Sequence, residues 1–299
     1  MTYHDFTRLM PILKRVRCVR ALDNPGFLLL CITTLLVSGT ANAIMVDLLQ
    51  PNSSGSVNTF YGTAIFTTDT TQPTGTGVFD PFLTIQNNGI EQGYNSSNSA
   101  APFDVKRIPQ WNHEFTVGEM KANASVTIGN TPYYRFLLDI NEPNSSNKSR
   151  ISLDSLKMFT TSTAGQTTTS VESLGVKRFD MDLAVGGPGG TFADSWVMYD
   201  DLNHGSGQSD IAFLVPASAF AGVPNSQYVY MYQKFGEHET ADNLPNGTEG
   251  GFEETKFGGS FSISPPTPVP EPSTAVPLLG MIMMVVGMER RVRRVGRMG

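Results

Sequence analysis

Tyr133-Tyr134-Arg135-Phe136-Leu137-Leu138-Asp139-Ile140 decides the fold class. Residues 134, 136, 138 and 140 are all apolar, and a period of two places them on one face of an extended strand, the pattern of a half-buried sheet. Tyr228-Val229-Tyr230-Met231-Tyr232-Gln233-Lys234-Phe235 repeats the pattern with bulk on both faces, which predicts a core on one side and an aromatic cover on the other.

Outward from these two runs, further extended segments are expected at 59–67, 77–86, 114–117, 125–128, 151–160, 177–185, 196–199, 211–215 and 257–263, with a short helical turn at 217–220 after Pro216. Turn residues break the chain every ten or so positions, and Thr, Ser, Asn and Gly dominate over long helix formers. Neither heptads, nor alternating strands and helices, nor a fixed repeat is present. The expectation is an all-β, antiparallel β-sandwich or jelly roll over residues 44–264.

The ends of the chain have a different character. Lys14, Arg15, Arg17 and Arg20 precede an apolar core at 27–37, and small residues follow up to Ala41-Asn42-Ala43, the layout of a secretory signal peptide over 1–43 cut before Ile44. At the other end, Pro268-Val269-Pro270-Glu271-Pro272-Ser273-Thr274 leads into an uncharged apolar stretch at 275–288 and then into an Arg-rich tail at 289–299. Fourteen helical residues span about 21 Å, short of a bilayer core of about 30 Å, so the segment is a marginal transmembrane helix. Arg stems can snorkel to extend it while their heads stay cytoplasmic. The repeated Pro in 265–274 makes that linker extended and stiff.

This order of proline motif, short apolar helix and Arg cluster resembles the PEP-CTERM sorting tail of bacterial exosortase substrates. The resemblance covers about a tenth of the chain. It implies Pro270, Glu271 and Pro272 as the recognition motif and Arg290, Arg291, Arg293 and Arg294 as the retention cluster. It also implies export by the general secretion machinery, a membrane stage held by the C-terminal helix, processing by an exosortase, and a place in the cell envelope linked to exopolysaccharide or biofilm. An ordinary C-terminal anchor behind a proline linker is the other reading of the same residues.

Composition agrees with export. Cys18 and Cys31 both lie in the signal segment, which leaves the mature body without thiols and so without disulfides, thiolate metal sites or a Cys nucleophile. Between 44 and 270 there are eleven Lys and Arg against 23 Asp and Glu, a charge of about −12. Such a surface repels nucleic acid and anionic lipid, and leaves divalent cations or extracellular glycan as partners. Six Asn-x-Ser/Thr triplets, at Asn52, Asn95, Asn123, Asn144, Asn147 and Asn246, read as by-products of a polar surface.

Nothing in the sequence assembles a catalytic group. His113, His204 and His238 are the histidines of the mature body, and none accompanies a nucleophile elbow. Glu253 and Glu254 are adjacent and would face opposite ways in a strand, so they cannot form a glycosidase pair together. Glu237-His238-Glu239 lacks the ligand spacing of known zinc sites. Asp200, Asp201, Asn203 and Asp210 offer a calcium site of non-EF type, without the Gly and terminal Glu of an EF loop; the competing expectation is a polar hairpin joining 196–199 to 211–215. No other cofactor is indicated. Trp111, Trp196 and Tyr228 to Tyr232 are the candidate sugar-stacking aromatics, Trp111 the best placed for exposure. The functional expectation is a non-enzymatic surface or matrix protein, structural or adhesive. The alternative is a carbohydrate-binding or glycoside-cleaving ectodomain delivered by the same route.

Overall fold

The computed structural model describes residues 43–70, 79–143, 148–183, 193–200, 207–238, 248–259 and 261–263. Within them the chain is organised as two large sheets rich in antiparallel pairs. The first, seven-stranded, runs β1 (Met45–Leu48), β12 (Trp196–Asp200), β10 (Arg150–Thr161), β14 (Tyr228–Phe235), β6 (Glu91–Tyr94), with β11 (Val176–Asp180) on β10 and β7 (Phe115–Thr116) on β14. The second, eight-stranded, runs β17 (Phe261–Ile263), β8 (Ser125–Ile128), β9 (Thr131–Ile140), β13 (Ile211–Pro216), β3 (Gly62–Thr67), β2 (Ser54–Thr59), with β16 (Glu253–Phe257) between β9 and β4 (Leu83–Ile85). A small ribbon pairs β5 (Asn88–Gly89) with β15 (Thr248–Glu249). Two pairings depart from the antiparallel expectation: β1 with β12 and β17 with β8 are parallel.

The quoted runs form the long central strands. Tyr134, Phe136, Leu138 and Ile140 of β9 all enter the main core, where they meet Val229, Met231 and Phe235 of β14 and Leu153, Leu156 and Met158 of β10 from the other sheet. A register shift between Leu153 and Ser155 moves the inward phase of β10 from odd to even residues. The opposite face of β14 puts Tyr230 and Tyr232 into a second cluster with Tyr94, Phe159 and Leu174, as the two-sided pattern predicted. Over that face lies the segment 161–175: Tyr94 Oη donates to the Thr168 carbonyl at 2.9 Å and Tyr230 Oη to that of Thr163 at 3.2 Å.

Several sequence expectations need correction. The strand expected at 114–117 is reduced to β7, because Thr116 caps an α-helix, α1 (Val117–Ala124). The Glu119 amide donates to Thr116 Oγ1 at 3.2 Å, and the Glu119 carboxylate accepts from the Thr116 amide at 2.7 Å, a reciprocal capping box. Val117, Met120 and Ala124 form its buried stripe. The run expected at 257–263 divides into the end of β16 and β17, while β1, β6, all of β2 but Thr59 and all of β16 but Phe257 arise where no strand was expected. The turn at Ala217–Phe220 is a 3-10 helix. The 196–199 and 211–215 strands do not form a hairpin; β12 and β13 belong to different sheets.

Candidate functional site

One edge of the molecule, where the two sheets are stitched together, concentrates its unusual chemistry. The stitch is the segment Asp104–Lys106. The Gln86 amide donates to the Asp104 carbonyl and the Lys106 amide to that of Thr84, both at 2.9 Å, which tie the segment to the β4 side. On the β6 side, the Asp104 amide donates to the Gln92 carbonyl at 3.0 Å and the Gln92 amide to Asp104 Oδ2 at 2.9 Å. Val105 lies so close to β6 that a Cβ at Gly93 would overlap its Cγ1, which is why that position carries no side chain.

Inside this seam, β6 and β16 bring polar groups into the core. Glu91 and Glu253 are both fully buried. The Asn87 amide donates to Glu91 Oε2 at 2.7 Å, while among the described residues Oε1 of Glu91 and both carboxyl oxygens of Glu253 receive no hydrogen bond from any other type of group. The carboxyls of Glu91 and Glu142 instead face Glu253. Burial first, then these acidic neighbours, push Glu253 well above the usual carboxylate range. Burial likewise takes Glu91 up to about 7, against the pull of the Asn87 amide. Two residues along β16, Thr255 Oγ1 donates to Gln233 Oε1 of β14 at 3.0 Å, a buried bond that crosses between the sheets. Glu254 faces the other way, where Thr84 Oγ1 donates to it at 3.5 Å. The adjacent pair is thus split as the strand geometry required, and the carboxyl that meets Glu253 comes from a strand 162 residues away in sequence.

Outside the seam is a groove of about 550 Å³, lined by Gln86 and by Phe103 to Ile108. Phe103 adopts a positive φ of 69°, an uncommon backbone state for a bulky residue, and its ring packs edge-on to Tyr94 and Tyr232. Arg107 is oriented by Nε donating to the Ala101 carbonyl at 2.9 Å, and Lys106 Nζ lies 4.3 Å from the Phe252 ring centroid. A turn in which the Trp111 and Asn112 amides both donate to the Ile108 carbonyl then presents Trp111, 40% exposed. Asn112 anchors that turn from below, buried, with Nδ2 donating to the Ser96 carbonyl at 3.0 Å. The groove therefore carries Lys106 and Arg107 beside Asp104 and apolar side chains, with the exposed indole of Trp111 three residues beyond Ile108.

A second cluster surrounds His238. Its ring stacks on Trp196, with centroids 4.2 Å apart and planes 5° from parallel. Nδ1 meets Asp154 Oδ1 at 2.8 Å and Nε2 meets Asp194 Oδ2 at 3.4 Å. Burial lowers the pKa of this imidazole, but the hydrogen bond and charge of Asp154, with help from Asp194, raise it overall. Burial outweighs the hydrogen bonds at Asp154 and moves that carboxyl above its ordinary value. The imidazole is committed to two carboxylates and a ring face, so it clasps the end of β14 to β10 and β12. Glu237 pairs with Lys234 at 2.5 Å, and Glu239 lies outside the described residues. The zinc arrangement weighed for these residues is not assembled by the described pair.

Of the calcium candidates, Asp200 ends β12 and lies 3.9 Å from Arg150 Nε. Asp210 is buried before β13 and accepts from the Ile140 amide at 2.9 Å. Asp201 and Asn203 lie outside the described residues, as do Ala41, Pro270, Glu271, Pro272, Arg290, Arg291, Arg293 and Arg294; Ala43 is described and exposed. The same holds for the apolar segments of the expected signal and C-terminal helix. Among the described residues no helix is long and apolar enough to cross a membrane, and no group of three His, Cys, Asp or Glu is arranged to hold a metal ion.

Of the candidate stacking aromatics, Trp111 is exposed, Trp196 is taken by His238, and Tyr230 and Tyr232 are buried. Asn95 is also buried, its amide donating to the His113 and Val229 carbonyls, each at 3.1 Å, and accepting from the Met231 amide at 2.6 Å. That triplet therefore serves strand pairing and presents no free amide. No family model matches the chain, and neither a curated protein nor a solved structure matches it.

Proposed function

We propose that this chain is an exported, non-enzymatic component of a bacterial cell surface or exopolysaccharide matrix, a β-sandwich body sorted by an exosortase through Pro270, Glu271 and Pro272. The observation that carries the reading is the order of its parts. A secretory signal layout ends at Ala43, and a proline motif, a short apolar segment and an Arg cluster fill 268–297. The first described strand begins at Met45 and the last ends at Ile263, so the strands fill the interval between the two addresses. Ile44 itself accepts from the Trp196 amide at 3.1 Å, so the residue after the expected cut belongs to the body.

The interior supports a structural role over glycoside cleavage. Inverting and retaining glycosidases hold their carboxyls roughly 5–9.5 Å apart across an open cleft. Glu91 and Glu253 are fully buried and in contact, with no room for a sugar between them. Contact with extracellular glycan falls to the outer groove, where Arg107 and Lys106 offer donors, and to Trp111, exposed three residues beyond its Ile108 end.

Mass spectrometry of the protein from its native host tests the sorting. The expected mature form begins at Ile44 and has lost everything after about Pro272, and Glu271→Ala leaves the tail in place. A mature form that retains the Arg tail overturns the exosortase reading.

A further inference from the structure

We propose that Glu91, Glu253 and Glu142 form a proton-held latch between the two sheets, closed in acid and loosened as the pH rises. The inference does not depend on the export reading.

The geometry leaves few alternatives. Glu91 sits on β6 opposite Phe235 of β14, and Glu253 sits on β16 between Ile85 of β4 and Ile140 of β9. The two glutamates thus reach each other from opposite sheets, behind the Asp104–Lys106 stitch. Neither is exposed, and Glu142 is only 5% exposed. Among the described residues, both oxygens of Glu253 lack a donor from backbone, hydroxyl or amide groups. An ionised carboxylate only accepts hydrogen bonds, so two of them in buried contact repel; one proton turns the same contact into a donor–acceptor pair.

Charge points the same way. Beyond burial, the hydrogen bond with Glu253 holds Glu91 down while the charges of Glu142 and Asp104 raise it, and Glu253 is raised by both Glu91 and Glu142. Of the remaining elements packed around them, Ile85, Ile140 and Phe235 are apolar. With acids as the strongest charges on both groups, a proton is the counter-ion that this arrangement accommodates.

The direction of the pH effect follows from linkage. In the unfolded chain these carboxyls return to the ordinary value of about 4.3, whereas in the folded protein Glu91 is pushed up to about 7 and Glu253 well above its ordinary value. The folded state therefore binds more protons across the interval between. The latch contributes fully below the unfolded value, and its contribution is lost as pH rises through the folded one. Because β6 and β4, the strand that pairs with β16, hold the stitch whose residues line the groove, alkaline loosening is centred there.

Thermal melting of the full-length chain in mild detergent, as wild type and as Glu253→Gln, tests the latch. Gln is permanently neutral and keeps a donor. Wild type is expected to lose about 5 °C or more between pH 5 and pH 8, and the variant to lose clearly less across that window, with Glu91 and Asp182 left to titrate in both. Parallel slopes in the two proteins overturn the proposal. So does a wild-type melt at pH 8 that millimolar calcium raises and a chelator reverses, because a cation then holds the carboxylates. Should the variant not fold, carboxyl carbon NMR of Glu-labelled wild type decides: a Glu midpoint near 7 supports the latch, and midpoints all near 4.5 exclude it.

Discussion

The two ends of β16 lie only about 13 Å apart along the strand, yet they close the core by opposite means. At Phe257 the interior is dry and aromatic: the ring meets Phe82 at 5.1 Å and Phe115 at 4.8 Å between centroids, and Phe136 packs behind them. At Glu253 the interior is a carboxyl contact, followed by the Thr255 to Gln233 hydrogen bond. Apolar packing tolerates small shifts and is indifferent to pH. The polar end instead requires each buried group to keep its partner, since an orphaned buried donor or acceptor costs about 1–3 kcal/mol. One strand thus joins a part of the core that is simply stable to a part whose stability is conditional.

The largest expected effect tests the dry end. Phe136 is fully buried and contacts Phe82, Phe213 and Phe257, and Phe136→Ala leaves a cavity that these rings cannot all fill. A loss of about 3–5 kcal/mol is expected, the same at pH 5 and pH 8, read from denaturant midpoints. A loss that depended on pH would mean that the two ends of the strand are coupled, and would break the comparison.

A smaller effect sharpens it. Thr255→Val keeps shape but removes the donor to Gln233 Oε1, whose partner group on the same side chain lies 3.6 Å from Met231 Sδ. About 1–3 kcal/mol should be lost. Exchange of the β16 amides should quicken with it, more than after a substitution of matched size at an exposed position such as Val176. Adding Gln233→Leu to Thr255→Val should restore part of the loss, since an apolar pair leaves nothing unpaired.

The contrast also explains what could be read from the chain. β9 and β14 are legible because their inward residues are apolar at every second position. β10 is legible in extent but not in phase, since nothing in Leu153-Asp154-Ser155-Leu156 announces the register shift. Thr116-Val117-Gly118-Glu119 does carry a capping-box signature, but Phe115 before it and Val117 within it give the same stretch the apolar alternation of a strand. β6, Glu91-Gln92-Gly93-Tyr94, and β16, Glu253-Glu254-Thr255-Lys256-Phe257, are invisible to an apolar period because their inward residues include Glu91, Glu253 and Thr255. Both strands bound the seam. A candidate site built of buried polar groups hides its own strands from any reading that equates inward with apolar, and the meeting of Glu91 with Glu253 is a long-range fact that no local pattern carries.

The smallest expected effect on stability falls on the outer surface of the same seam. Trp111 is 40% exposed, and the turn that presents it is fixed by backbone hydrogen bonds to Ile108 and by the buried amide of Asn112, not by the indole. Trp111→Ala should therefore change the unfolding free energy by less than about 0.5 kcal/mol. If the groove is the glycan-contacting surface, the same substitution should lower retention on immobilised exopolysaccharide about tenfold, the effect of losing one stacking contact of about 1.5 kcal/mol. Arg107→Ala tests the other half of that surface, although its guanidinium also holds the Ala101 and Phe103 carbonyls and some stability goes with it. Retention unchanged in Trp111→Ala would assign the indole no role in binding. Retention lost while the melting curve stays put would separate the two sides of the seam: an inner side that sets whether the sheets stay joined, and an outer side that sets what the joined sheets hold.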